Sequence, residues 1–189
     1  MDESRFIECV WHNPVNRTIL GRLPALGLPD VWLVSGCLFQ TVWNVLTGRM
    51  IGHGIRDYDV FYFDDSDLSW EAEDAAIRRA GIVFADLGVK IELRNEARAH
   101  LWYPEKFGVP YPALSQATEG IDRFLLSAAQ VGMRVSFGSV EVYAPRGFED
   151  IAAMVIRPNC GTANFRADLL KIKVDRWKLH WPELTVLLT

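Results

Sequence analysis

Asp57 and Asp59 stand one residue apart in the run Asp57-Tyr58-Asp59-Val60-Phe61-Tyr62-Phe63, a β-branched and aromatic stretch with the composition of a strand. Side chains alternate along a strand, so the two carboxylates share one face while Tyr58 and Val60 take the other. Carboxylates held on a rigid strand are oxygen donors of the kind that hold magnesium. Two such ions neutralise a triphosphate and sharpen an attacking hydroxyl. A third carboxylate on a neighbouring strand completes such a set, and Glu92, in the alternating run Val89-Lys90-Ile91-Glu92-Leu93-Arg94, is the candidate. Upstream, Ser35-Gly36 breaks an apolar run just before a helical pattern begins. Free backbone N–H groups at a helix start suit phosphate oxygens. Ser35, Gly36 and Cys37 are therefore the candidate phosphate turn, and Arg56, next to the carboxylates, is a candidate nucleotide contact.

The elements that position these residues follow from the apolar spacing. Val31–Val34 has the length and composition of a buried strand. Leu38, Val42, Val45 and Leu46 recur at helical intervals, which predicts a helix from near Cys37 to near Gly48. After the Asp57–Phe63 strand, Ser69 is a suitable N-cap for a helix rich in early Glu and Asp, running to Gly88. A strand, helix, strand order makes the Asp57 and Glu92 strands neighbours, parallel where the helix is a full crossover. Ahead of this unit, residues 4–24 read as two short helices interrupted at Asn13-Pro14. Behind it, His100–Tyr103 reads as a short strand or turn entering the loop 104–112. A helix is predicted over Ser115–Gln130, with Ile121, Leu125, Ala128 and Ala129 inward. A strand or hairpin follows over Val135–Tyr143, with Gly138 near its bend, then a helix over Gly147–Val155 ended by Arg157-Pro158-Asn159. Phe165–Trp181 reads as a basic amphipathic helix whose lysines form a solvated face. The chain is expected to form one domain: N-terminal helices at 4–24, a core at 31–103 and a C-terminal extension at 113–189.

The totals narrow the partners. Half of the 189 residues are hydrophobic and 12% aromatic, enough for a sizeable core. A net charge of −4 provides no basic footprint for a duplex or a large RNA. Cys9, Cys37 and Cys160 are scattered without a CxxC pattern, which excludes a disulfide framework and a structural zinc site. The acidic first residues lack the regions of a signal peptide, and no apolar run suits a bilayer, so a cytoplasmic protein without membrane contact is expected.

Taken together, the order small residue-Gly, helix, Asp-x-Asp strand and hydrophobic-Glu-hydrophobic strand resembles the polymerase-β-type nucleotidyltransferase superfamily. Val45-Leu46-Thr47-Gly48-Arg49 followed by Asp57-Tyr58-Asp59-Val60 is also similar to the head of CCA-adding tRNA nucleotidyltransferases. The wider text resembles a bacterial group of nucleotidyltransferase-like proteins, once a domain of unknown function, from about residue 5 to 181. It includes Thr41-Val42-Trp43-Asn44, Asp67-Leu68-Ser69-Trp70-Glu71, Arg94-Asn95-Glu96-Ala97-Arg98, His100-Leu101-Trp102-Tyr103, Tyr143-Ala144-Pro145 and Arg157-Pro158-Asn159. The resemblance implies an α/β (α+β) fold: a polymerase-β-like nucleotidyltransferase core, a mixed sheet flanked by helices, with additional C-terminal strands and helices. It implies magnesium-dependent transfer of a nucleoside monophosphate from an NTP, with Asp57, Asp59 and Glu92 as metal ligands. Glu92 would also help to deprotonate the acceptor, and Ser35 and Gly36 would hold phosphate. The superfamily has Gly-Gly or Gly-Ser where this chain has Ser35-Gly36-Cys37, so which of these three meets phosphate stays open.

Each candidate has a plainer reading. Asp57 and Asp59 can be solvated residues at a strand start, Glu92 a salt-bridged position between Lys90 and Arg94, and Ser35-Gly36 an ordinary strand-to-helix turn. Their occurrence in one unit favours a metal site, for which the resemblance implies two magnesium ions and an NTP donor, and the acidic balance favours an acceptor hydroxyl on a small molecule or protein over a large RNA. The alternative is a non-catalytic nucleotide- or partner-binding module that keeps the fold. A phosphohydrolase is a weaker third reading.

Overall fold

The computed structural model describes residues 1–136 and 138–187. Phe137, at the expected hairpin bend, and the last two residues of the C-terminal extension lie outside them. The chain opens with two helices, α1 (Glu3–Trp11) and α2 (Pro14–Arg22), capped by Asp2, which accepts from the Arg5 N–H, and by Asn13, which accepts from the Val15 N–H at 2.9 Å. The break between them falls at Asn13-Pro14, because proline is preorganised for the first helical position and asparagine caps it.

Strand β1 (Trp32–Val34) leads directly into α3 (Gly36–Leu46), and β2 (Tyr58–Tyr62) follows. The helix α4 (Trp70–Val83), capped by Ser69, crosses over to β3 (Ile91–Asn95), and β2 and β3 pair in parallel. The hairpin β4 (Gly132–Ser136) and β5 (Ser139–Tyr143) completes a five-stranded mixed sheet in the order β3-β2-β1-β4-β5. One face, carrying Leu33, Val60, Leu93 and Met133, packs on α3 and the N-terminal helices in an apolar cluster that runs from Phe6 to Leu184. On the other face, Trp32 and Val34 meet Ala117 and Ile121.

Three expectations are revised beyond the sheet's first three strands. Residues 100–103 are neither strand nor turn but part of α5 (Ala99–Phe107), entered through a 3-10 turn at Glu96–Arg98 that the Asn95 side chain caps. Pro104 sits inside that helix, where the Tyr103 ring packs at a tilt against Phe107 (4.5 Å) and Tyr111 (4.4 Å); aromatic packing overrides the local propensity. The helix expected over 115–130 is only α6 (Ala117–Asp122) plus a 3-10 turn at Ser127–Ala129. Side-chain amides take the carbonyls that would extend it: Gln130 and Asn159 donate to the Asp122 carbonyl, Asn159 also to Phe124, and Asn164 to Arg123. The helix expected over 147–155 shrinks to α7 (Glu149–Ala152), and β6 (Val155–Ile156) pairs in parallel with β7 (Thr185–Val186). Between them lies α8 (Ala167–His180), which buries Leu170, Val174 and Trp177. Among the described residues no helix is long and apolar enough to cross a membrane.

Candidate active site

The register of three adjacent strands builds the site. Asp59 on β2 is the Cα partner of Glu92 on β3 and of Val34 on β1. Partners across a ladder project to the same face, so Asp59 and Glu92 lie side by side, with Asp57 two residues back on the same face. The residue after Val34 is Ser35, where α3 begins, so the carboxylate row ends beside the phosphate turn. Tyr58 and Val60, buried on the opposite face, lock the strand against α3 and fix which side the aspartates take.

The carboxylates feel one another. The Asp59 carboxyl is pushed up to about 7, first by burial, then by the negative charges of Asp57 and Glu92, with Lys173 and Arg94 pulling the other way. Glu92 is ion-paired with Lys90, and Lys90 is held above the usual lysine range by that partner and by Asp57 and Asp59. An ammonium group therefore already occupies the edge of the acidic row. Among the described residues no three His, Cys, Asp or Glu side chains are gathered tightly enough to hold an ion as they stand. The donor set is nonetheless all carboxylate, the chemistry that suits a hard divalent cation, and its mutual repulsion is what such a cation relieves.

At the turn, Ser35 adopts φ 58°, a left-handed conformation that favours glycine. Its N–H donates to the Val131 carbonyl at 2.8 Å, and its own carbonyl accepts from Leu38 and Phe39. The Ser35 N–H is thus committed to the Val131 carbonyl, which leaves its hydroxyl and the Gly36 N–H at the start of α3 for a ligand. A Cβ at Gly36 would come within 3.2 Å of the Gln40 Nε2, one helical turn on, and the Gln40 Oε1 is buried without a hydrogen-bond partner. The Cys37 side chain is fully buried with its Sγ 3.6 Å from the Val34 carbonyl, and burial pushes its thiol well above the ordinary range. Cys37 as a whole is out of water, so it presents no nucleophilic thiolate.

Arg56 is exposed and sits close enough to the half-buried Arg176 of α8 to disfavour its charge. Arg98 serves the scaffold instead, ion-paired with Glu73 and donating to the Leu68 carbonyl. Asn44 is equally structural: its amide donates to the carbonyls of Ile51 and His53. Lys173 and Arg176, on the helix whose lysines the sequence assigns to a solvated face, are the α8 cations whose charges reach the aspartates. That reading holds for Lys171, which pairs with Asp175. No local signal marks the other two, since only the packing of α8 brings them to β2. A cleft of about 860 Å³ lies elsewhere, lined by Asp122, Arg123, Gln130, Arg146, Asn159 and Thr162 among others, and none of the candidate residues lines it. Charge and register, not the volume of a cavity, mark the site.

No curated protein matches the chain. An NMR structure described as revealing a CCA-adding enzyme head domain superimposes with a TM-score of 0.77 at 24% identity, covering 100% of this chain and 97% of that one. At that identity the likeness speaks for the fold, and it agrees with the mixed sheet flanked by helices that the sequence implies. A family model described as Nucleotidyltransferase matches residues 21–186, a span that runs from α2 through the carboxylate row and the phosphate turn to β7. On that match the chain belongs to the nucleotidyltransferase family.

Proposed function

We propose that the protein moves a nucleoside monophosphate from an NTP to an acceptor hydroxyl, with Asp57, Asp59 and Glu92 as ligands of magnesium. The observation that carries the reading is the register Glu92–Asp59–Val34, which sets the acidic row beside the helix start at Ser35-Gly36. Bound there, magnesium would neutralise the triphosphate and lower the barrier to attack at the α-phosphorus. The chain's own groups do the rest. The Gly36 N–H and the Ser35 hydroxyl hold phosphate oxygens at the positive end of α3. The acceptor oxygen bonds to the α-phosphorus as the bond to the bridging oxygen breaks and pyrophosphate leaves. The hydroxyl proton passes to a carboxylate, with Glu92 best placed beside the pair. Opening the Lys90–Glu92 ion pair frees that carboxylate for the metal.

The relative of known structure is described as a CCA-adding head domain, but the acidic balance of this chain, −4 overall, favours a small-molecule or protein acceptor over a large RNA. A second reading, a nucleotide-binding module without catalysis, draws support from the closed Lys90–Glu92 pair. Calorimetric titration of each NTP, with and without magnesium, separates the two. Catalytic use of the row predicts binding that needs magnesium and weakens by about tenfold or more in Asp57→Ala. Binding that ignores both magnesium and the substitution supports the module; no binding of any NTP by folded protein sinks both.

A further inference from the structure

We infer that α8 is the triphosphate wall of the site, with Lys173 and Arg176, joined by Arg56, taking the β- and γ-phosphates of the bound NTP. The inference deepens the nucleotidyl-transfer reading and rests on it. Its ground is the way α8 lies along the segment that leads into β2. At one end the His180 and His53 rings meet edge to face with centroids 5.0 Å apart, and the His53 Nε2 lies 3.4 Å from the His180 carbonyl oxygen. Next to them the Trp181 indole occupies the space above Gly54 that a Cβ would need. From His180 back to Lys173 the helix covers about 10 Å. From His53 forward, the chain passes Arg56 and Asp57 and reaches Asp59. Anchored at its His180 end, α8 extends back past Arg176 to Lys173, near enough to Arg56, Asp57 and Asp59 for their charges to act on one another.

The charges register the same pairing. Lys173 and Arg94 are the cations close enough to Asp59 to act on its charge. Burial and Arg56 hold Arg176 below the usual arginine range, while Asp57 acts the other way. Two guanidinium groups this near repel, and the Arg176 Nε is buried with no hydrogen-bond partner. Lys173 makes no ion pair among the described residues, although Lys171, two positions away, is paired with Asp175. Trp177 fixes the helix from the other side, edge-on to Phe39 at 5.6 Å and Trp43 at 6.1 Å, so α8 also packs on the helix whose start is the proposed phosphate turn. Cations that repel one another, lack close partners and border a carboxylate row suit a polyanion bridged to those carboxylates by metal.

The test is calorimetric titration of the full chain with ATP, GTP, CTP and UTP, and with the four corresponding monophosphates, all in magnesium. Lys173→Gln/Arg176→Gln is compared with Lys171→Gln/Lys178→Gln, which removes the same charge from the outer side of the same helix. The first variant is expected to bind the preferred NTP about tenfold or more weakly while the monophosphate changes little, so the preference for the triphosphate collapses. The second is expected to match the wild type. Lys173→Gln alone, at an exposed position, carries the test if the Arg176 substitution impairs folding, which circular dichroism reports. Unchanged NTP affinity in a folded variant, or equal weakening of triphosphate and monophosphate, overturns the inference and leaves the proposed function standing. No NTP binding by the wild type overturns both.

Discussion

Glu96 is a carboxylate placed almost entirely out of water, 4% exposed, on the connection from β3 to α5. Its Oε2 accepts from the Tyr111 hydroxyl at 3.3 Å, and its side chain fills the space that a Cβ at Gly120 would need. Burial pushes its carboxyl from the ordinary 4.5 up to about 8; Glu73 and Asp59 add to the shift, and Tyr111 and Arg94 oppose it. The sign for stability follows. Below pH 4.5 folded and unfolded chains both hold the proton, and the full stability is present. Between 4.5 and about 8 only the folded protein keeps it, so stability falls as pH rises, by about 1.4 kcal/mol per unit from this group. Above that window the loss is complete. Glu96→Gln keeps an acceptor for Tyr111 without the titration, so urea unfolding should lose stability less steeply from pH 5 to 8 than in the wild type, with Asp59 supplying a remaining slope up to about 7. Parallel profiles would mean that Glu96 ionises normally. In the sequence, Asp57 and Asp59 announce themselves by spacing, whereas Glu96 does not. Its burial is made by Tyr111 and Gly120 from other elements, and no local pattern encodes that.

The start of α3 is held from behind by the junction of α1 and α2. The Asn13 amide donates to Thr41 Oγ1 at 3.1 Å and reaches the Tyr58 hydroxyl at 3.4 Å, and the Asn16 amide donates to Thr41 Oγ1 and to the Cys37 carbonyl, both at 3.1 Å. Thr41 in turn donates to the Cys37 carbonyl at 2.6 Å. One hydroxyl thus ties the first turn of α3, the proposed phosphate turn, to the tyrosine between the two aspartates. Thr41→Val preserves the shape and leaves two buried amides short of an acceptor, a cost of about 2 kcal/mol. The expected result is a lower urea midpoint together with weaker NTP binding. A lower midpoint with unchanged NTP affinity would show that the brace supports the fold but not the turn. The Asn13-Pro14 break is legible because capping and proline rules are local. Its reach to Thr41 and Tyr58 is not, since it depends on how α1 and α2 dock across α3. The same limit explains α6, whose early end is imposed by amides of Asn159 and Asn164 far along the chain.

At the scale of the whole molecule, the strand–helix–strand unit that carries the carboxylates is readable because consecutive elements pair side by side. The closure of the molecule by its C-terminal part is not, because it depends on contacts between distant segments. Trp181, fully buried, makes that closure. Its Nε1 donates to Asn44 Oδ1 at 3.0 Å, its ring meets Trp43 edge-on at 5.3 Å, and it covers Gly54. Asn44, through its amide bonds to Ile51 and His53, passes the restraint to the loop that delivers Arg56 and Asp57. One indole therefore couples α8, α3 and the approach to β2. Trp181→Ala removes all of this and is expected to cost about 3–5 kcal/mol. Trp181→Phe keeps most of the packing but leaves Asn44 Oδ1 without its donor, a loss of about 1–3 kcal/mol. The informative readout for the phenylalanine variant is hydrogen exchange resolved by segment. If the tail holds the loop, residues 51–56 and α8 should exchange faster together while β1, β2 and β3 keep their protection. Faster exchange in α8 with an unchanged loop would mean that Asn44 holds the approach to Asp57 by itself, and that the tail shields the site without shaping it.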